Sequence, residues 1–174
     1  FPAPIVAAII NNEIHELSFP IEIESPLSAC HHGYGGRRAY LPALLVFLLE
    51  TSFTELFPDG LLNIDHSVSS GGFYCQVTGR TMLSEKELDL LKAHMRKLIE
   101  EDHLFIRKEI PIQEAMEYFK KRGYEDKLRL LAHRQKDYLT MYSILGQMDY
   151  MHGYMVPSTG YLKWFDLRRI NGLF

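Results

Sequence analysis

The chain has 174 residues, 47% of them hydrophobic, a formal net charge of −3 and an isoelectric point near 6.3. That is enough apolar material for one buried core plus a smaller piece. It offers no general attraction to polyanions, and it holds no run near the ~20 apolar residues of a membrane span.

Two cysteines, Cys30 and Cys75, make no disulfide framework and fit a reducing, cytoplasmic setting. No secretory leader opens the chain, and a start on Phe1 rather than Met is expected of a processed or partial chain.

In chain order, Pro4 to Ile23 is predicted to be a hairpin: Ile5 to Ile10, a turn at Asn11-Asn12, then Ile14 to Ser18. Asparagine tolerates positive φ and suits a tight turn. His15 alternates with apolar neighbours and is expected to face solvent. Ser25 to Gly36 (SPLSACHHGYGG) has the composition of a linker. Cys30-His31-His32 within it invites a zinc reading, but adjacent residues rarely all reach one ion and the spacing fits no common motif.

Leu41 to Pro58, LPALLVFLLETSFTELFP, is a helix with no polar face before Glu50, so it is expected to be central and buried nearly all round. Pro42 suits its first turn. Thr51, Ser52, Thr54 and Glu55 are expected to let one side approach water, and Phe47 and Thr51 share a face. Leu61 to Val68 and Phe73 to Val77 form an antiparallel pair around Gly71-Gly72, with Leu62, Ile64 and His66 on one face.

Ser84 and Glu87 form a capping box that opens a helix to about Glu101 with Leu88, Leu91, Met95 and Leu98 inward and His94 exposed. A strand at Phe105 to Ile110, helices at Pro111 to Arg122 and Glu125 to Arg134, and strands at Tyr138 to Leu145, Gln147 to His152 and Tyr161 to Ile170 complete the chain. The fold class is α+β: an antiparallel sheet packed around a buried central helix, preceded by a hairpin.

No phosphate loop, G-x-S-x-G elbow, H-E-x-x-H or C-x-x-C pair is present. Polar residues gather at glycine turns instead: His66, Ser67, Ser69 and Ser70, then His152, Tyr154, Ser158 and Thr159. Turns on a rigid sheet are where sites are built, although these residue types also simply make turns. His66 and Cys75 on adjacent strands are a further candidate ligand pair. Basic spots at Arg37-Arg38, Lys120-Lys121-Arg122 and Arg168-Arg169 read most simply as solvated surface.

Gly153-Tyr154-Met155-Val156-Pro157-Ser158-Thr159-Gly160, followed by Leu162-Lys163 and Phe165-Asp166-Leu167, resembles the end of the editing domain of threonyl-tRNA synthetase, where the motif reads C-R-G-P-H-V-P-S-T-G. The upstream order fits as well: Leu56-Phe57-Pro58, the Gly72-Phe73-Tyr74 hairpin and the Ser84-capped helix. The resemblance implies a partial TGS, ubiquitin-like segment at 1–28, a linker at 29–36 and an editing-like domain at 37–174. In that family an H-x-x-x-H pair and a C-x-x-x-H pair form the metal-type editing site; here those positions fall on Phe47 and Thr51, and on Met151 and Met155. Phenylalanine cannot ligate zinc, and thioethers prefer softer ions. Metal-assisted hydrolysis of misacylated tRNA is therefore expected to be absent, with no cofactor in these residues.

His66-Ser67, Gly72 to Cys75, Tyr150 and Val156 to Leu162 also resemble bacterial uridine kinase-like proteins, which carry a TGS and editing-like region ahead of a P-loop kinase domain. That resemblance implies a non-catalytic accessory region, with an attached kinase domain, ATP and magnesium lying beyond Phe174. The old site would persist as a pocket lined by Phe47, Thr51, Met151 and Met155 and rimmed by His66, Tyr74, His152 and Tyr154, open to a small-molecule ligand or filled as core. The alternative is a degenerate aminoacyl-tRNA deacylase or tRNA-binding domain.

Overall fold

The computed structural model describes residues 5–21, 26–31, 41–68, 72–151 and 155–170. The fold is α+β with antiparallel pairing, as expected, and it divides into two compact units: Phe1–Phe105 with His152–Phe174, and Ile106–Met151.

In the first unit Ile5–Ile10 (β1), Glu13–His15 (β2) and Leu27–His31 (β3) form a sheet of order β2-β1-β3. Asn11 and Asn12 take φ of 49° and 65°, the left-handed pair of a tight hairpin turn. The composition of 25–36 misleads at β3. Small side chains pair in a ladder as well as large ones, and Cys30 lies buried opposite Ala7. Residues 32–36 lie outside the described residues. His15 is half-buried rather than solvent-facing, its ring 4.1 Å from that of Phe19.

The central helix, Leu41–Leu56 (α1), buries Leu44, Phe47, Leu48, Leu49 and Phe53. Each such side chain contributes roughly 1.5–3 kcal/mol. Thr51 and Ser52 do not open the helix to water; they are 1% and 0% exposed. Thr51 manages burial by donating its hydroxyl to the Phe47 carbonyl at 2.8 Å. Ser52 Oγ has no hydrogen-bond partner among the described residues.

Leu61–Val68 (β4) and Gly72–Thr78 (β5) pair antiparallel. A register shift between Ile64 and His66 breaks the simple alternation expected of Leu62, Ile64 and His66. Helix Glu85–Glu100 (α2) packs against α1 and buries Leu91, Met95, Leu98 and Ile99. His94 is half-buried, not exposed, with Nε2 3.3 Å from Glu55 Oε2 of α1.

Arg80 fastens these pieces. Its guanidinium lies 4.5 Å over the Phe57 ring and reaches Asp59 Oδ1 at 3.5 Å and Glu87 Oε1 at 2.5 Å. Glu87 is also half of the α2 capping box: its other oxygen accepts the Ser84 N–H at 2.8 Å, and Ser84 Oγ accepts the Glu87 N–H at 3.3 Å. Gly60 lets Arg80 pass, since a Cβ there would fall 2.7 Å from its Cδ.

The last described stretch is not the expected strand. Thr159–Tyr161 is a single 3-10 turn and 162–170 has no regular structure. Among the described residues it has no neighbouring strand to give it a ladder. Leu162 is buried, Asp166 is 3.4 Å from Lys92 of α2, and Trp164 is 90% exposed.

The second unit runs Ile106–Pro111 (β6), Ile112–Lys121 (α3), Glu125–Ala132 (α4), Tyr138–Ile144 (β7) and Gln147–Tyr150 (β8), with sheet order β6-β7-β8. Gly123, at φ 74°, ends α3. Its core is Ala115, Phe119, Leu131, Leu139 and Met141. Lys127 Nζ lies 2.8 Å from Asp149 Oδ2 and 4.6 Å from the Tyr124 ring centroid. Burial pushes the Asp149 carboxyl above its ordinary range, against the pull of Lys127. Among the described residues no helix is long and apolar enough to cross a membrane.

Two substitutions test the Arg80 fastening in urea unfolding. Ser84→Ala should cost about 1 kcal/mol as a lost cap. Arg80→Ala should cost about 0.5–2 kcal/mol, because it removes the contact of the guanidinium with the Phe57 ring. Arg96→Ala, at an exposed position, should stay within about 0.5 kcal/mol.

Candidate functional site

The turn residues singled out in the sequence become a clamp. Asp102 follows α2 in a left-handed conformation, φ 54°, which aspartate tolerates better than most residues. Its Oδ1 accepts the Ser158 hydroxyl at 2.5 Å and the Gly160 N–H at 2.9 Å. These donors, the Ser158 hydroxyl first, hold its carboxyl below the usual carboxylate range. Gly160 is required there because any Cβ would land on that same oxygen.

Thr159 completes the clamp from inside. Fully buried, it donates its hydroxyl to the Leu98 carbonyl at 2.6 Å and accepts the His103 N–H at 2.9 Å. Its own N–H donates to the His103 carbonyl at 2.9 Å, and the Phe105 N–H donates to the Pro157 carbonyl at 2.9 Å. Pro157 to Gly160 is thus fixed to the C-terminal end of α2. Ser158 and Thr159 spend their hydroxyls on architecture.

Ahead of the clamp, Met155 and Val156 are buried, and the Met155 N–H donates to Glu16 Oε1 at 3.0 Å. The clamp reaches the central helix through Phe105, whose ring centroid lies 6.3 Å from that of Phe47. On that helix Phe47 and Thr51 do share a face, and the Thr51 hydroxyl points back to its own helix.

Met151 belongs to the other compact unit. His66 pairs through its backbone with Tyr74, which is half-buried, while Cys75 pairs with Ile64. Burial, with Glu50 nearby, pushes the Cys75 thiol up, away from the thiolate a metal needs. His152 and Tyr154 lie outside the described residues. Cys30 sits buried in β3, and His32 is outside the described residues. Among the described residues no group of three or more His, Cys, Asp or Glu is placed to hold a metal ion. Asp102 was not legible in advance, since its partners lie 56 and 58 residues away.

No protein-family model matches the chain. It is similar to part of threonine–tRNA ligases. The ligase of Acholeplasma laidlawii is 29% identical over 170 residues, 98% of this chain and 26% of the relative. That of Streptococcus agalactiae is 33% identical over 120 residues, 69% of this chain and 18% of the relative. That of an Acidovorax species is 28% identical over 170 residues, 97% of this chain and 26% of the relative. The chain thus spans about a quarter or less of the length of these curated relatives. The synthetase side of the sequence resemblance gains from them. The kinase parentage, with its ATP and magnesium, draws no support from them.

The clamp has a pH signature. A carboxyl whose folded pKa is depressed stabilises the fold above its unfolded value, about 3.9 for aspartate, and loses that contribution as pH falls through the folded value. Asp102→Asn should therefore show a shallower loss of stability in acid than the parent, read from urea midpoints between pH 7 and about pH 3. Gly160→Ala should cost about 1–3 kcal/mol by displacing the carboxylate. Gly72→Ala, where a Cβ meets nothing within 4 Å, should change little.

Proposed function

We propose that this chain is a tRNA-facing module of the editing-domain type, related to part of threonine–tRNA ligases, in which metal-assisted hydrolysis has been lost. The observation that carries the reading is the state of the two α1 positions where the resemblance puts a ligating pair. One is Phe47, packed towards Phe105; the other is Thr51, fully buried with its hydroxyl committed to the Phe47 carbonyl. Neither offers an imidazole or thiolate, and converting them into ligands would demand repacking of a filled helix face. Similarity to the ligases along 97–98% of the chain supports the scaffold half of the proposal. On this reading residues 1–28 are the end of a TGS-like segment and 37–174 the editing-like part.

The module then holds or positions the end of an acylated tRNA without zinc chemistry. Incubated with seryl-tRNA, the chain should release serine no faster than buffer does, with no change on adding zinc. It should still retain tRNA on a filter with a dissociation constant well below millimolar. Turnover that disappears in His66→Ala or His152→Ala would replace this reading with a metal-free deacylase, and tRNA affinity no better than millimolar would remove the RNA part altogether.

A further inference from the structure

We infer that the corner between α3 and α4 is the surface through which this chain grips RNA phosphates, an assignment that rests on the tRNA-facing reading above. The charge of the molecule is unevenly placed. Residues 106–151 hold nine Lys and Arg against seven Asp and Glu, whereas the rest of the chain holds ten against fifteen. An acidic chain that meets a polyanion must do so locally, and the second unit is where the sign turns positive.

Within that unit the excess concentrates at 120–136, with seven cations against Glu125 and Asp126. Asp126 is engaged by Arg129, and Lys127 is held by the half-buried Asp149. Lys120, Lys121 and Arg122 have no carboxylate partner among the described residues, and Lys120 and Lys121 are exposed at the last turn of α3. The unsatisfied carbonyls of a helix end favour cations, which accounts for two lysines there.

Arg122 goes further, because it is fixed. Its guanidinium lies 4.8 Å over the Tyr118 ring and donates to Gln147 at the start of β8. Tyr118 is itself held by accepting the Met148 N–H at 2.7 Å. A fixed planar cation flanked by two exposed lysines matches a phosphate backbone, where an arginine orients and lysines follow as point charges. The carboxylates nearest in sequence, Glu117 one turn back on α3 and Glu125 at the start of α4, limit the patch to this corner.

The test is a filter-binding titration of an unmodified tRNA transcript against salt, with the parent chain, Lys120→Ala/Lys121→Ala, and Lys86→Ala/Lys163→Ala as an equal charge change on the other unit. All six plots, three at each of two temperatures, are accompanied by circular dichroism to show that the exposed substitutions leave the fold intact. If each lysine meets a phosphate, the corner variant should lose about 1.4–1.8 from the slope of log K against log salt and bind severalfold more weakly at 0.1 M salt, while the control variant keeps the parental slope. Parental binding with equal slopes in both variants overturns the corner but leaves the tRNA reading standing. No binding by the parent chain overturns both.

Discussion

The first unit depends on one carboxylate held in a left-handed turn. By itself the end of α2 would point its last carbonyls and the 101–105 segment at solvent. Asp102 instead offers Oδ1 to Ser158 and to the Gly160 backbone, while Thr159 bonds Leu98 and His103 from beneath. Each hydrogen bond is worth about 0.5–1.5 kcal/mol net, so no single one is decisive. Their joint effect is to fix where a distant part of the chain returns, which carries Met155, Val156 and Leu162 into the core and sets Phe105 beside Phe47.

How much of this could be read from the residues alone follows the range of the interaction. Leu41 to Leu56, the Asn11-Asn12 turn and the Ser84–Glu87 capping box are local devices whose partners lie within a few residues, and all three stand where the sequence puts them. Leu27 to His31 hid behind its neighbours' glycines and prolines, because a ladder with β1 leaves no local signature. Tyr161 to Ile170 goes the other way: its large apolar and aromatic residues suit a strand, but a strand is a relation between segments. Thr51 is buried against expectation because its hydroxyl satisfies itself on its own helix; the buried Ser52 hydroxyl has no such partner among the described residues. His94 was misjudged because Glu55 arrives from another helix.

The motif that carried the family resemblance turns out to serve the scaffold. Pro157-Ser158-Thr159-Gly160 is a clamp whose glycine, threonine and serine each have a steric or hydrogen-bonding duty that is independent of any chemistry beside it. At the two α1 positions the side chains are core: Phe47 packs towards Phe105 and Thr51 bonds its own helix. Similarity to part of threonine–tRNA ligases therefore speaks for the frame more than for the reaction.

The exposed Trp164 has a practical corollary. It is the sole tryptophan, and it stands in water on a segment without regular structure. Its emission in the native protein should already be that of a solvated indole, so unfolding leaves it nearly unchanged in colour. Ten tyrosines, several of them packed around Phe119, hold the optical record of the fold instead.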